Sequence, residues 1–178
     1  TYFELSFGLG LDAAHDPRSR REPVTIDGRF TLRGAVDLVE TRAADGALRI
    51  TDHKTGKNRH KAPIRIDGGR ALQPVIYSLV VEEMTGAPVV ESRLSFCTSA
   101  AGYTTVPADL GPEGRRSGLE ALEIVDRAVE HGQLMAAPAS GACTWCDFRA
   151  VCGPNEEPRV ARKTEDRLRD LQELRSRP

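Results

Sequence analysis

The segment from Gly34 to Gly56 constrains this chain more than any other: two apolar runs flank the turn-rich tetrapeptide Ala43-Ala44-Asp45-Gly46, and each run carries an acidic residue where a core strand would hold an aliphatic one. Such runs around an Asp-Gly turn predict a β-hairpin, one strand from Arg29 to Glu40 and the next from Ala47 to about Thr55. Side chains alternate along a strand, so Asp52 and Lys54 share a face with Ile50 while His53 points the other way. A four-residue loop, Ala43 to Gly46, sets Asp37 opposite Asp52; a two-residue Asp45-Gly46 turn sets it opposite Lys54. Either register puts all three on one side, with opposed Cβ atoms about 5 Å apart and diagonal ones about 7–8 Å apart. Two carboxylates at that spacing can grip one cation.

The neighbours Ala35, Val36, Leu38, Val39 and Ile50 mark these as core strands, where an unpaired carboxylate is expensive. The plainer alternative is a surface ion-pair cluster on a solvated sheet face, and this apolar company argues against it. Two like charges held together repel and shift their pKa values unless a cation neutralises them. Hard oxygen ligands with open water positions suit Mg2+ or Mn2+. Such an ion lowers the pKa of bound water and polarises a phosphodiester, and Lys54 stands where it can hold an attacking water or offset charge building on phosphorus. The chemistry implied is phosphodiester hydrolysis.

The rest of the chain surrounds this hairpin with further strands and helices. Thr1 to Gly8 alternates as a strand, and Asp12 to Pro23 reads as a polar loop. Lys57 to Gly69 reads as a second loop whose Lys57, Arg59 and Lys61 either lie along a phosphate backbone or are merely solvated. From Pro74 the residues Val75, Ile76, Leu79, Val80 and Met84 recur at helical spacing, with Pro74 suited to the first turn and Gly86 to the stop. Val89 to Cys97 and Tyr103 to Pro107 predict two more strands, Gly118 to Leu134 a second amphipathic helix, and Arg159 to Arg175 a charged helical tail. The order is strand, hairpin, helix, hairpin, helix. A length of 178 residues suits one domain, read here as a core over 1–136 and an appendage over 137–178. The net charge of -1 gives no global pull toward a polyanion, so nucleic-acid contact would rest on local patches such as Arg18, Arg20, Arg21, Lys57, Arg59 and Lys61. The apolar runs are too short for a membrane span, and the opening at Thr1 in mid-pattern leads us to expect a fragment of a longer protein.

Three cysteines fall in Cys143-Thr-Trp-Cys146-Asp-Phe-Arg-Ala-Val-Cys152. Three soft thiolates on a short loop suit zinc or an iron-sulfur cluster better than a disulfide framework, and point to the reducing cytoplasm. Either centre normally takes four protein ligands, and one is missing. Cys97 sits on a predicted strand, where a free cysteine is commonly a small buried hydrophobe, and His131 is a conceivable zinc ligand that its spacing does not compel. Trp145 and Phe148 are expected to pack around the loop.

In order along the chain, Gly34-x-x-Asp37, then Asp52-His53-Lys54-Thr55-Gly56-Lys57, then Gln73-x-x-x-Tyr77 resemble the Gly-x-(Ile/Val)-Asp, Asp-(Tyr/Phe)-Lys-Thr-Gly and Gln-x-x-x-Tyr series of RecB-type nucleases of the PD-(D/E)XK superfamily. Glu4-Leu5-Ser6-Phe7 resembles the Glu-x-x-Phe strand that precedes that series, so the likeness runs from near the start to Cys152. The resemblance implies an α/β, restriction-endonuclease-like core, a mixed central sheet flanked by helices. It implies Asp37 and Asp52 as metal ligands with the backbone carbonyl of His53, Lys54 as the catalytic lysine, Gln73 and Tyr77 bordering the site and the DNA, and Glu4 as structural. His53 stands where relatives have an aromatic; facing away, it leaves only its carbonyl near the metal. Many relatives carry a metal-binding histidine on a helix before the first strand, and His15, which follows that strand, does not fill the place, so the ligand set is incomplete. The cysteines resemble the iron-sulfur staple of AddB-type nucleases, three near the end of the core and one upstream of it. On that likeness Cys143, Cys146 and Cys152 hold a 4Fe-4S cluster that clamps the loop without redox chemistry, with zinc as the alternative.

The resemblance therefore implies a Mg2+- or Mn2+-dependent deoxyribonuclease, an exonuclease on single-stranded DNA in repair or recombination, working in the cytoplasm with a helicase domain or subunit. Two alternatives come from other classes. One is a catalytically inactive nuclease-like module that binds DNA or scaffolds a helicase assembly, and the other is a zinc-binding adaptor.

Overall fold

The computed structural model describes residues 1–10, 16–133 and 135–178. In chain order these form β1 (Tyr2–Phe7), β2 (Val24–Ile26), β3 (Phe30–Leu32), β4 (Gly34–Thr41), β5 (Leu48–Lys54), α1 (Gln73–Thr85), β6 (Val89–Phe96), β7 (Thr105–Pro107) and α2 (Pro112–Glu130), followed by the short α3 (Arg149–Cys152) and α4 (Glu156–Val160) and by α5 (Glu165–Ser176). Five strands build one sheet in the order β1-β4-β5-β6-β7, and β2 pairs with β3 apart from it. Pairing is antiparallel except between β5 and β6, which run parallel. A parallel pair needs a crossover, and α1 is that crossover. The result is the mixed sheet with helices expected of an α/β chain.

Two compact units divide the described residues, Thr1–Leu122 with Arg177–Pro178, and Glu123–Ser176. In the first, α1 lays Val80, Val81 and Met84 against Leu5, Val36, Val39, Leu48 and Ile50 of the sheet. A second cluster joins Ile64, Ala71, Leu94, Phe96 and Val106. Pro74 opens α1, and Gly86 closes it in the left-handed conformation, φ 70°, with its N–H donating to the Glu82 carbonyl at 2.8 Å. The buried hydroxyl of Ser92 on β6 donates to the Pro74 carbonyl at 2.7 Å, tying the first turn of α1 to the sheet. In the second unit Arg127 bonds Asp170 at 2.8 Å and Glu173 at 2.6 Å, holding α5 where Leu168 is buried. Among the described residues no helix is long and apolar enough to cross a membrane.

Three expectations about elements need correction. Arg29 to Glu40 is not one strand: the chain breaks at Arg33, β3 folding back on β2 around Asp27 and Gly28 while β4 enters the main sheet. The break lies beside Gly8, next in the β1–β4 register, where an added Cβ would sit 2.7 Å from Arg33 Cβ. Helix α2 starts at Pro112, six residues before Gly118, because Gly114 and Gly118 act as contact points rather than breakers; a Cβ on Gly118 would lie 2.7 Å from Val75 Cγ1. The tail is two helices, and the acidic Glu165 and Asp166 in the first turn of α5 mark the second start. Leu134, the expected end of the second helix, and residues 12–15 of the expected first loop lie outside the described residues.

Gly118→Leu is expected to overpack the contact between α1 and α2 and to destabilise the protein by about 1–3 kcal/mol. Urea denaturation checks this, and an unchanged midpoint would mean the helices separate at no cost.

Candidate active site

The ladder between β4 and β5 ends early. It runs from Thr41↔Leu48 to Leu38↔Thr51, the register set by the four-residue loop Ala43 to Gly46, with Arg42 N–H donating to the Ala47 carbonyl at 2.8 Å. Beyond Leu38, β4 stays with β1 as far as Gly34↔Phe7, while β5 continues to Lys54 paired with β6. The two strands fork, and Asp37, Asp52, His53 and Lys54 lie at the fork. One further step of the β4–β5 register sets Asp37 across from Asp52.

Backbone directions explain why the fork gathers polar groups. The Lys54 carbonyl accepts from Cys97 N–H at 3.0 Å, on the β6 side. Alternate residues of a strand turn their N–H and C=O groups opposite ways, so those of His53 face β4. There β4 has already left the ladder, and the Asp37 carboxylate takes its place: His53 N–H donates to Asp37 Oδ2 at 2.7 Å. The His53 ring does not turn wholly away as expected, because the same hydrogen bond draws Asp37 to within 3.8 Å of its Nδ1.

Asp52 has a side chain only 4% exposed. Its Oδ2 lies 2.6 Å from Lys54 Nζ, so this buried oxygen has its counter-charge beside it. Lys54 Nζ also donates to Gln73 Oε1 at 2.7 Å, and Gln73 Nε2 donates to the Tyr77 hydroxyl at 3.2 Å. The Tyr77 ring meets Phe7 edge-on at 6.3 Å, and a Cβ on Gly34 would lie 3.2 Å from Phe7 Cζ and 3.7 Å from the Tyr77 hydroxyl. The tight approach at Gly34 is thus to the Phe7 ring on which Tyr77 rests edge-on. Burial pushes the Asp52 carboxyl above its ordinary 3.8; the Asp37 charge adds to this and Lys54 opposes it. A buried carboxylate next to a second carboxylate is a donor set that fits a hard cation. Among the described residues no three His, Cys, Asp or Glu side chains gather as a metal-holding group, and His15 lies outside those residues.

Other expected site residues are distributed around this core. Glu4 falls opposite Asp37 by the β1–β4 register, but its φ of 49° takes it out of the ladder, and it is exposed. Lys57, Arg59 and Lys61 are exposed, alternating with Asn58 and His60, whose side chains bond Thr104 and Asp67. A cleft of about 250 Å³ lined by Glu40, Arg42, Arg49 and Glu91 lies toward the hairpin turn and includes none of the motif residues. The sequence reading missed Ser92 and Phe7, and a serine in an apolar strand is a signal for a buried hydroxyl with a structural bond.

In the second unit Cys143, Cys146 and Cys152 are free thiols. Partial burial, the Glu157 carboxylate and the two neighbouring cysteines raise the Cys143 thiol above its ordinary value. Glu157, also missed from sequence, accepts from Gly141 N–H at 3.1 Å and Cys143 N–H at 3.2 Å and so staples the loop. Phe148 does not pack around it, being 71% exposed, and the Trp145 side chain lies outside what is described. Cys97 is not the buried hydrophobe expected: it follows β6 and is exposed, because the strand ends one residue earlier. No metal-holding group includes it or His131 among the described residues.

A sheet that forks to gather two carboxylates and a lysine could hold a cation beside a charged substrate. The chain belongs to the PD-(D/E)XK nuclease superfamily, which it matches over residues 2–153. That membership implies a nuclease-type phosphodiesterase with DNA as substrate, in a superfamily that typically uses Mg2+ or similar divalent metals. No curated protein matches the chain.

The raised Asp52 pKa sets a pH test. Folding makes this carboxyl hold its proton more tightly than the unfolded chain does, so stability present below 3.8 is lost as pH rises from there through the raised folded value. With chelator present, Asp52→Asn is therefore expected to gain on the wild type in urea midpoint as pH rises from 3.8 toward neutrality. A difference that stays flat across that range would count against the burial described.

Proposed function

We propose that this chain is the nuclease core of a RecB- or AddB-type DNA-processing protein, a Mg2+- or Mn2+-dependent deoxyribonuclease that acts as an exonuclease on single-stranded DNA. It serves repair or recombination in the cytoplasm, alongside a helicase domain or subunit. The observation that carries this reading is the buried Asp52 carboxylate, paired with Lys54 at 2.6 Å and set beside Asp37 where the sheet forks. Asp37, Asp52 and the His53 carbonyl, which faces the fork, would hold the cation. When bound, the cation lowers the pKa of water and offsets charge on the phosphodiester oxygens. Lys54, held by Gln73 and through it by Tyr77, keeps its ammonium at the same place, where it orients water or balances negative charge on the reacting phosphate. Lys57, Arg59 and Lys61 make no ion pair among the described residues and are available to neutralise phosphates. Cys143, Cys146 and Cys152 bind a 4Fe-4S cluster, with zinc as the alternative; their Cys-x2-Cys-x5-Cys spacing supports this, although among the described residues the three thiols do not gather as a metal-holding group, and three thiolates leave a fourth position to another group.

A second reading, the inactive DNA-binding or scaffolding module, draws on the fact that only two carboxylates, Asp37 and Asp52, meet at the fork among the described residues. Cleavage of end-labelled single-stranded DNA with Mg2+ or Mn2+ separates the two. Asp37→Asn and Asp52→Asn are expected to abolish cleavage and to remove the thermal stabilisation by the cation, whereas Lys54→Ala loses cleavage by about 10²–10³-fold while keeping that stabilisation. Full activity of Asp52→Asn refutes the site; a wild type that binds DNA without cutting it under any divalent cation favours the inactive module. Replacing Lys57, Arg59 and Lys61 by serine is expected to reduce the salt dependence of single-strand binding by about 2 in log–log slope. Iron, sulfide and zinc analysis of the purified protein decides between cluster and zinc.

A further inference from the structure

Two exposed segments leave the sheet at the same edge as the forked carboxylates. β5 and β6 are parallel with Lys54 opposite Phe96, so residues 55–61 and 97–104 emerge together from the carboxyl ends of these strands, the end where open α/β sheets place ligands. Segment 55–61 turns Lys57, Arg59 and Lys61 outward and anchors itself through the residues between them. Asn58 Nδ2 donates to Thr104 Oγ1 at 3.3 Å, and the His60 ring lies 6.2 Å from that of Phe96. Segment 97–104 closes on itself, Tyr103 N–H donating to the Thr98 carbonyl at 3.1 Å. The Asn58–Thr104 bond thus holds the tip that carries Tyr103 against the strip that carries the cations.

Tyr103 is 72% exposed and has a φ of 50°. Glycine or asparagine would occupy this left-handed position with less strain, and an aromatic ring left in water gains nothing from burial. Exposed aromatic faces beside a basic strip bind single-stranded nucleic acid: the cations follow the phosphates and the ring stacks on a base. Bases in a duplex are already stacked on one another and offer no free face.

We infer that Tyr103 is a base-stacking residue which, with Lys57, Arg59 and Lys61, makes this edge select single-stranded over duplex DNA. The inference rests on the nuclease reading above and assigns its substrate preference to a residue outside the motif series.

The test uses the whole chain in EDTA, so that cleavage does not intervene, with anisotropy titrations of a fluorescein-labelled oligothymidylate and of a hairpin duplex. Tyr103→Ala is expected to weaken single-strand binding about tenfold and duplex binding by less than about twofold, while Tyr103→Trp restores the single-strand affinity. An oligonucleotide carrying 2-aminopurine should be quenched by the wild type and by Tyr103→Trp, and not by Tyr103→Ala. Unchanged single-strand binding in Tyr103→Ala, or equal losses for both DNA forms, overturns the inference. A wild type that binds no DNA overturns both this inference and the nuclease reading. If the wild type stacks on single strands while Asp52→Asn cuts normally, the catalytic reading alone falls and Tyr103 keeps its role.

Discussion

A carboxylate kept almost out of water needs its counter-charge brought to it, and much of the first unit is arranged around that need at Asp52. The lysine comes from two residues further along the same strand, 2.6 Å away. Its orientation depends on Gln73 and Tyr77 at the start of α1, and that start is tied down by the buried hydroxyl of Ser92. Gly34 approaches the Phe7 ring closely, and that ring meets Tyr77 edge-on. Strands from both sides of the crossover thus converge on one side chain.

The fork between β4 and β5 gives this arrangement its open side. Had the ladder continued, backbone partners would have taken the His53 N–H and carbonyl, and Asp37 would have lost its hydrogen bond to His53. Ending it at Leu38 and Thr51 exchanges regular pairing for a gap in the ladder where a side chain satisfies the backbone. Burial raises the Asp52 carboxyl, so its ionised state is held at a cost in stability, which a cation bound there as proposed would offset. Stability given up at a functional site in this manner is the general expectation for an enzyme rather than a defect of folding.

Much of the architecture was legible because it rests on local signals. The hairpin and the shared face of its charged residues followed from the Asp-Gly turn, and α1 carried its own proline start and glycine stop. The sequence left two registers open, and the structure takes the one with the four-residue loop. The failures came where contacts override such signals. Helix α2 runs back past the expected start at Gly118 through Gly114, both of which allow close approach, and β3 and β4 part at Arg33 beside Gly8. Cys97 looked like a core residue because its neighbours are apolar, yet the strand ends before it. Glu157 gave no signal at all, since a lone glutamate in a charged stretch reads like any other.

Taken alone, the residues determined the periodicity of the strands, the spacing of Asp52, Lys54, Gln73 and Tyr77, and therefore the kind of chemistry they could share. These are properties of one or two adjacent elements, where geometry is set by the strand and helix repeats themselves. Only the tertiary structure decided that β4 parts from β5 at Leu38, that Ser92 anchors α1, and that Tyr103 stands beside Lys57, Arg59 and Lys61. Each of these depends on which strand lies next to which across long stretches of chain, and that neighbourhood is fixed by packing the whole core at once.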